Sequence, residues 1–486
     1  MAIKNTFNLG LVVTLMVSIS SLFAQKGKSK PDPLKQTVQQ IIESRYSDMT
    51  ELSDKIWAFE ETAFQESQSS AALSTYAEEL GFKVTRGVGE IPTAFLAEFG
   101  SGSPIIGVLG EFDALPGLSQ NKVPFKSPLN EGAPGHGCGH NLFGVASLSA
   151  AATIKDLISE GKLQGTIRFY GTPAEEKYFG KLWMIRSGIM DDVDIMMDWH
   201  PGDETETDVQ KGLALVDFIV EFSGQAAHAS GDPWNGRSAS DALELYTTGI
   251  NYYREHIKPT VRIHYHIQDG GQVVNVVPDY SSLWVRVRDT SREGLMPVWK
   301  QVEKMSEGAA IMANVTHKVT LVSGVHEILV NRTGSAVMQA NLEALGPISY
   351  NEEEQEFAKK IQEATGKPQI GLVSEIKPMK ETLEHSMGGS TDVGDVSWVV
   401  PTIRMSATTA PNGTPWHSWA VVASGGMSIG HKGMAYAAKA LAMTMVDLYQ
   451  NEVLRNEIKA EFKQKKGDYV YKGILPDGPP PLNAGY

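Results

Sequence analysis

The order of helix and strand patterns constrains the fold of this chain more than any other feature of its sequence. Between residues 34 and about 208, apolar strand patterns such as TAFLAEFG and PIIGVLGEFDA alternate with helical patterns such as SSAALSTYAEELGF. This alternation predicts an α/β fold with an open, mostly parallel sheet and flanking helices. Ligands of such sheets bind beyond the carboxyl ends of the strands. We therefore expect a functional site in the loops that follow the strands.

A second pattern interrupts the first. From LALVDFIVEFSG to VTHKVTLVSG the order is strand, helix, strand, strand, helix, strand, which is the ferredoxin-like unit. The α/β pattern then resumes. The sequence therefore predicts a catalytic domain in two parts, residues 31–210 and 328–475, with an inserted α+β domain at 211–327 and a tail at 476–486.

The N-terminus has the pattern of an export signal. Lys4 precedes a short apolar run that starts at Leu9, and Ala24 comes just before a polar, lysine-rich stretch. This pattern predicts a signal peptide at residues 1–24 and a periplasmic or secreted protein. An N-terminal membrane anchor is the alternative, although the apolar run is short for a membrane span.

Composition narrows the class of partner. Hydrophobic residues make up 42% of the chain, charged residues 21%, and the formal net charge is −14. An acidic chain without a basic stripe is poorly suited to nucleic acid. Beyond the N-terminus, no apolar run approaches the length of a membrane span. We expect a globular protein that acts on a small molecule, with no nucleic-acid partner and no stable membrane span after processing.

The single cysteine lies in a glycine-rich loop. Cys138 stands between His136 and His140 in GAPGHGCGHNLFG, and a chain with one cysteine has no intramolecular disulfide. An exported free thiol is prone to oxidation unless it is buried or bound to a metal. The sequence leaves both explanations open at this point.

Other potential metal ligands follow the predicted strands. GTPAEE supplies Glu175 and Glu176, DWHPG supplies His200, and TPWHSW supplies His417. Each motif alone is ambiguous, because paired glutamates are often solvated and isolated histidines are often packed. Together, thiolate, imidazole and carboxylate suit zinc, manganese or cobalt. Their conjunction predicts a metal site.

Six motifs in a fixed order give the chain a family resemblance. GEFDALPG, GHGCGHN, GTPAEE, DWHPG, GQAAHAS and GGQVVNVVPD resemble the aminoacylase/glutamate-carboxypeptidase metallopeptidase family. The resemblance is strongest to its amidohydrolase branch, which contains indole-acetyl-amino-acid hydrolases and the B subunit of p-aminobenzoyl-glutamate hydrolase. GSTDVGDVSWVVPT, residues 389–402, is similar to the latter group. The resemblance implies a phosphorylase/hydrolase-like catalytic domain, an inserted domain that serves as lid and dimerisation domain, and two divalent ions per subunit.

The resemblance also implies roles for individual residues. Glu175 becomes the general base, while Asp113 and His136 orient the metal ligands. Two positions depart from the pattern of the family: Glu111 stands where other branches have a metal-binding histidine, and Asn141 stands where an aspartate is common. The implied metal ligands are Cys138, His140, Glu176, His200 and His417.

The inserted domain supplies further residues by the same resemblance. His228 is expected to stabilise the oxyanion, a role that the matching histidine of the family often performs in the site of the neighbouring subunit. Asn275 and Arg288 are expected to bind a substrate carboxylate. Without the resemblance, Arg288 is equally well interpreted as a surface arginine of a strand. His264 and His266 alternate on one strand face, and we interpret them as sheet surface.

The predicted function is metal-dependent hydrolysis of N-acyl or N-aroyl amino acids such as p-aminobenzoyl-glutamate. The predicted cofactor is two manganese or zinc ions per subunit, with cobalt as a third option. The predicted assembly is a homodimer, and the sequence leaves open whether a related partner subunit also takes part. A dipeptidase or carboxypeptidase on the same dinuclear site is the alternative enzyme. Two further alternatives are disfavoured. An inactive ligand-binding relative would not need Glu175, and a thiol redox protein would need a second cysteine.

Overall fold

The computed structural model describes residues 32–383 and 388–483 of the chain. The predicted signal peptide, residues 1–24, lies outside the described residues, as do the last three residues of the predicted tail.

The helices, labelled in chain order, are α1 (Pro33–Ser44), α2 (Tyr46–Phe59), α3 (Ser67–Glu79), α4 (His140–Ser159), α5 (Gly180–Arg186), α6 (Ala239–Tyr253), α7 (Arg292–Ala313), α8 (Arg332–Leu345), α9 (Glu352–Ala364), α10 (Val393–Val399), α11 (Trp419–Gly425), α12 (Ser428–Gln450) and α13 (Glu452–Lys466). The strands are β1 (Lys83–Arg86), β2 (Phe95–Gly100), β3 (Ile105–Gly110), β4 (Thr166–Gly171), β5 (Ile195–Gly202), β6 (Glu206–Thr207), β7 (Ala214–Ser223), β8 (Arg262–Asp269), β9 (Tyr280–Asp289), β10 (Thr316–Val325) and β11 (Thr402–Thr408).

The larger sheet has the order β1-β2-β4-β3-β5-β11-β6. Its central pairs, β4 with β3, β3 with β5 and β5 with β11, are parallel, and antiparallel strands flank them. The central strands are almost continuously apolar and buried, as the sequence IIGVLG of β3 illustrates. Parallel strands need this composition because helices cover both faces of their sheet. The predicted α/β class is therefore confirmed.

Helix α4 is the central helix of the core. It packs against α12, α2 and the parallel strands. Of the helices in residues 32–383 and 388–483, α4 is long and apolar enough to cross a membrane, but 78% of that stretch is buried inside the protein. A helix that is apolar on all sides is expected at such a position. Its first residue, His140, lies at the carboxyl edge of the sheet.

The smaller sheet is antiparallel, with the order β10-β7-β9-β8. Helices α6 and α7 pack on one face of it around Phe218, Tyr246 and Val285. Strands and helices follow the order of the ferredoxin-like unit, as predicted. The other face of the sheet turns towards the loop after β4, where Lys177 Nζ lies 5.7 Å from the ring centroid of Trp284.

The structure also contains elements that the sequence did not predict. These include β1, β6, α5 and the helices α8 to α11. The pattern GHKGMAYAAKALAMTMVDLYQNEV predicts a C-terminal helix, which is α12, and the structure adds α13 after it. Between the two helices, the side chain of Asn451 accepts a hydrogen bond of 3.0 Å from the N–H of Leu454. Asparagine in that position caps a new helix and so interrupts the old one.

Candidate active site

The predicted metal ligands and Glu175 converge at the carboxyl edge of the parallel strands, where an α/β fold binds its ligands. Cys138 and His140 lie between β3 and β4, at the start of α4. Glu175 and Glu176 follow β4, and His200 lies inside the end of β5 instead of beyond it. His417 comes from the loop before α11.

A left-handed glycine sets the positions of Cys138 and His140. Gly139 has φ of 77°, and a Cβ atom there would lie 2.9 Å from the Cβ of Pro201. Only glycine adopts this conformation without strain. The turn at Gly139 allows the cysteine before it and the histidine after it to face the same cluster of donor atoms.

Potential metal ligands form two groups that share the thiol of Cys138. The first comprises Cys138, His140 and His200, and the second comprises Cys138, Glu176 and His417. Within each group the ligand atoms lie within 4.8 Å of one another. Cys138 Sγ is 3.4 Å from His200 Nε2, and His417 Nε2 is 3.4 Å from Glu176 Oε2. Such separations suit pairs of ligands that share an ion through bonds of about 2.0–2.3 Å.

A single buried carboxylate contacts the side chain of one of these residues and the backbone of another. Asp113 Oδ1 lies 3.0 Å from His140 Nδ1, and Asp113 Oδ2 accepts a hydrogen bond of 3.0 Å from the N–H of Glu176. Because Nδ1 of His140 is engaged, its Nε2 is the atom available to a metal. Carboxylate–histidine pairs of this kind fix the ring orientation of metal-binding histidines.

The turn that carries the two glutamates is held in a strained conformation. Ala174 has φ of 60°, a left-handed value that a non-glycine residue adopts only when its surroundings enforce it. Its N–H donates a hydrogen bond of 2.9 Å to Glu66 Oε1, and Glu66 Oε2 accepts one of 3.1 Å from Thr93. Glu66 is fully buried. It was not predicted as a site residue, because no motif marks a lone glutamate before α3.

Burial disfavours ionisation of the carboxyl and thiol groups of the site. Burial, reinforced by Glu111 and Glu176, raises the pKa of Glu175 well above its usual value. Burial raises the pKa of Glu176 to about 7, although His140 opposes the shift, and burial also raises the pKa of the Cys138 thiol. A bound divalent cation would favour the ionised forms of these groups.

A buried lysine lies behind the donor groups. Lys181 Nζ donates hydrogen bonds to Glu111 Oε1 at 2.6 Å and to Asp392 Oδ1 at 2.5 Å, and all three side chains are buried. Asp392 belongs to the GSTDVGDVSW segment, for which the sequence indicated a resemblance but no role. Glu111, His140 and Glu175 form a third group of potential ligands.

The residues of the site fit divalent metal ions. Glu176 Oε1, Glu111 Oε2 and His140 Nε2 are buried and form no hydrogen bond with the part of the chain that the structure describes. Buried polar atoms without partners are costly and therefore rare. Thiolate, imidazole and carboxylate donors together suit a borderline transition metal. Metal coordination would account for all three atoms.

The predicted residue His136 and the departing residue Asn141 anchor the site to the surrounding helices. His136 Nε2 lies 3.0 Å from the carbonyl oxygen of Ile56 in α2, and burial lowers the pKa of His136 to about 4. The side-chain amide of Asn141 donates hydrogen bonds of 3.0 Å to Ser53 and 3.2 Å to the carbonyl oxygen of Gly425. Both side chains tie the start of α4 to neighbouring helices.

The residues predicted in the inserted domain lie at two separate places. His228 and Asn275 are neighbours, because the N–H of Ala229 donates a hydrogen bond of 3.1 Å to the carbonyl oxygen of Asn275. Arg288 lies at the other end of β9, eight residues from Tyr280, or about 26 Å along an extended strand. Arg288 lies near His417 and helps to lower the pKa of that imidazole, after burial and His140. Within one chain, Asn275 and Arg288 do not meet.

The fold and the donor groups define a metal-dependent hydrolase, and comparison with known proteins identifies the family. Residues 107–418 match Peptidase family M20/M25/M40, and the chain belongs to this family. It is an enzyme, a metal-dependent amidohydrolase, as the sequence predicted.

Two relatives and one solved structure illustrate the similarity. The chain is 37% identical over 474 residues to the B subunit of p-aminobenzoyl-glutamate hydrolase of Escherichia coli, covering 92% of this chain and 98% of that protein. It is 28% identical over 466 residues to human Xaa-Arg dipeptidase, covering 91% and 95% of the two chains. A dinuclear metal-binding peptidase of the M20 family from Bacillus subtilis has the same fold, with a TM-score of 0.57, 18% identity and coverage of 84% and 99%.

Proposed function

We propose that this chain hydrolyses the amide bond of N-acyl or N-aroyl amino acids, with p-aminobenzoyl-glutamate as the model substrate. Two divalent ions, manganese or zinc, would be held by Cys138, His140, Glu176, His200 and His417, and Glu175 would act as general base. The observation that carries the proposal is the pair of donor groups that share Cys138, with the buried carboxyl of Glu175 beside them.

The chemistry follows from the groups that surround a bound amide. When bound, the two cations supply Lewis acidity, which polarises a carbonyl and acidifies water. Glu175 takes a proton from the attacking water as oxygen adds to the carbonyl carbon. It returns that proton to the amine nitrogen as the C–N bond breaks, so that an acid and an amine leave. General-base catalysis of this kind contributes about 10²–10⁴-fold to the rate.

His228 has the geometry of a hydrogen-bond donor to an oxyanion. Its Nδ1 accepts hydrogen bonds from the N–H groups of Gly231 at 3.0 Å and Ser230 at 3.2 Å. The proton of a neutral imidazole must then reside on Nε2, which is the outer nitrogen. His228 is exposed and lies with Asn275 at the far end of the inserted domain. Both features support a homodimer in which His228 serves the site of the partner subunit.

Positive charge on the inserted domain favours an acidic amino acid as the leaving group. Arg286 is paired with Asp217 through hydrogen bonds of 2.8 and 2.6 Å. Arg288 stands directly opposite Arg262 in the β8–β9 ladder, and its buried Nε forms no hydrogen bond with residues that the structure describes. Like charges in such a pair repel each other, and a substrate carboxylate would relieve that repulsion. The glutamate named for the Escherichia coli relative supports the same class of substrate.

Dipeptide hydrolysis is the second candidate, because the chain resembles Xaa-Arg dipeptidase along most of its length. Recognition of a substrate arginine requires negative charge near the leaving group, whereas two arginines, Arg262 and Arg288, stand opposite each other on this face of the inserted domain. An inactive binding protein was the third alternative that the sequence left open. Such a protein has no need of a buried base, so the presence of Glu175 speaks against it.

Location and assembly complete the proposal. The pattern around Lys4, Leu9 and Ala24 supports export to the periplasm or beyond the cell. The Escherichia coli relative is one of the subunits of its hydrolase, which supports a related partner chain in addition to self-association.

Matched substrates test the proposal. Purified protein loaded with manganese or zinc should release p-aminobenzoate from p-aminobenzoyl-glutamate, with a higher kcat/KM than from p-aminobenzoyl-glutamine, which lacks the side-chain charge. Dipeptides with C-terminal arginine should be poorer substrates still. A preference for those dipeptides would establish the dipeptidase instead. Binding of the amides without turnover would contradict the proposed substrate class.

A further inference from the structure

One carboxylate oxygen of Glu111 faces His140, a residue of the donor groups, without forming a hydrogen bond to the described part of the chain. Its side chain is 1% exposed and lies just after β3. One oxygen, Oε1, accepts the hydrogen bond from Lys181, while Oε2 lies 3.0 Å from His140 Nε2. The two facing atoms are at ion-pair distance, yet neither forms a hydrogen bond of normal geometry with the described part of the chain.

The separation of these atoms matches two ligands on one ion. Bonds of about 2.1 Å at a right angle place two ligand atoms about 3.0 Å apart. Asp113 already occupies His140 Nδ1, so Nε2 is left to bind a metal. The imidazole and the carboxylate therefore converge on one point, and a carboxylate oxygen of Glu175 lies within 4.8 Å of both.

We infer that Glu111 is a sixth metal ligand, which binds through Oε2 the ion held by His140. The inference rests on the proposed dinuclear site and adds a residue that the sequence marked only as a departure from the family pattern. It also places an oxygen donor where other branches of the family have an imidazole.

The buried lysine explains how Glu111 is able to serve as a ligand. Lys181 occupies Oε1 and leaves only Oε2 free, so that Glu111 binds with one oxygen. Asp392 in turn binds both the ammonium and the backbone N–H of Lys181, which fixes the lysine in place. An added carboxylate oxygen raises the coordination number and favours manganese, which prefers oxygen ligands, relative to tetrahedral zinc.

Metal binding by Glu111 variants tests the inference directly. Glu111→Gln should reduce the affinity for one of the two ions by more than about 100-fold, beyond the 10- to 100-fold cost of losing a residue that only orients a ligand. Glu111→His should restore the second ion, because imidazole is a metal donor without negative charge. Both are measured by elemental analysis after dialysis and by titration of metal-free protein.

The visible spectrum of cobalt-substituted protein gives a second readout. Removal of one ligand should change the d–d bands in Glu111→Gln, while Glu111→His should show two occupied sites. Asp217→Asn is the matched control, since it removes a buried, cation-paired carboxylate of the inserted domain and should leave metal content and spectrum unchanged. If Glu111→Gln does not fold, Glu111→Asp keeps the charge beside Lys181 but withdraws the donor by one methylene, and it should also bind one ion weakly.

The outcomes separate this inference from the proposed function. Two ions with unchanged affinity and spectrum in Glu111→Gln, or in Glu111→Asp, would overturn the inference and leave the dinuclear site intact. Equal metal loss in Glu111→Gln and Glu111→His would assign Glu111 a role in charge balance only. A wild-type protein that binds fewer than two ions would instead contradict the proposed function itself.

Discussion

The backbone N–H of Ala174 donates a hydrogen bond of 2.9 Å to the carboxylate of Glu66, a residue 108 positions away in the sequence. Ala174 has a left-handed backbone, with φ of 60°, and directly precedes Glu175. Glu66 therefore holds the turn that presents the proposed general base. Its carboxyl oxygens accept hydrogen bonds from Ala174 and Thr93, so we expect its role to be that of positioning Glu175.

Replacement of Glu66 tests that positioning role. Glu66→Ala should lower kcat by about 10- to 100-fold, the usual cost of losing a residue that orients a site, with little change in KM or metal content. Glu66→Gln keeps an oxygen that accepts from Ala174 and should retain most of the activity. Steady-state kinetics and elemental analysis measure both variants. Wild-type kcat in folded Glu66→Ala would show that the turn holds its shape without Glu66.

Loss of the single thiol should affect both ions at once, because the two donor groups share Cys138. Cys138→Ser should lose much of the bound metal, since a serine hydroxyl is a poor metal ligand at neutral pH. Elemental analysis of dialysed protein measures the loss, and circular dichroism controls for folding. Unchanged metal content and activity would mean that the thiol is merely buried.

Glu175 and Glu176 are adjacent but should respond differently to the same substitution. Glu175→Gln keeps the shape of the side chain but accepts no proton, so turnover should fall by about 10²-fold or more while metal remains bound. Glu176→Gln should lose metal together with activity. The comparison needs kcat and metal content of both variants. The opposite pattern would show that the two assignments are exchanged.

Metal uptake should strengthen as the pH rises. Burial raises the pKa of Glu176 to about 7 and also raises the pKa of the Cys138 thiol, so protons compete with the metal below neutrality. Raising the pH from 6 to 8 removes the proton from Glu176 and therefore increases metal affinity. Titration of metal-free protein by calorimetry at pH 6, 7 and 8 measures both the affinity and the released protons. An affinity that does not change over this range would contradict the assignment of Glu176 as a ligand.

Local patterns predicted the sheets, but the supports of the site come from distant parts of the chain. Strands β3, β4 and β5 were predictable from the sequence because buried parallel strands are continuously apolar. The proximity of Cys138 to His140 was predictable because one short loop holds both residues. Lys181, by contrast, meets Glu111 across 70 residues and Asp392 across 211. Neither spacing is a signal in the sequence, since only the completed fold brings these residues together.

Short and capped helices were missed for a different reason. Helices α5 and α10 have seven residues each, which is too short for a clear helical period. The break between α12 and α13 depends on whether Asn451 continues one helix or caps the next, and its hydrogen bond to Leu454 decides in favour of the cap. The position of such a helix end depends more on tertiary packing than on intrinsic helix propensity.

The position of His228 determines which subunit's site it is able to serve. This side chain is exposed and shares its end of the inserted domain with Asn275, far along β9 from Arg288, so we expect it to act on the partner subunit. His228→Ala should keep both metals and lose about 10²–10³ in turnover, the usual worth of an oxyanion donor.

Subunit exchange between two inactive variants separates the two arrangements. In heterodimers of His228→Ala with Glu175→Gln, one of the two sites combines an intact Glu175 with an intact His228 only if His228 acts across the interface. An equimolar mixture should then regain about one quarter of wild-type activity, because half of the dimers are mixed and each has one complete site. If His228 acts within its own chain, every site lacks one of the two groups and the mixture stays inactive. Differently tagged chains recovered together establish that exchange took place, and an inactive mixture after proven exchange would place His228 in its own subunit.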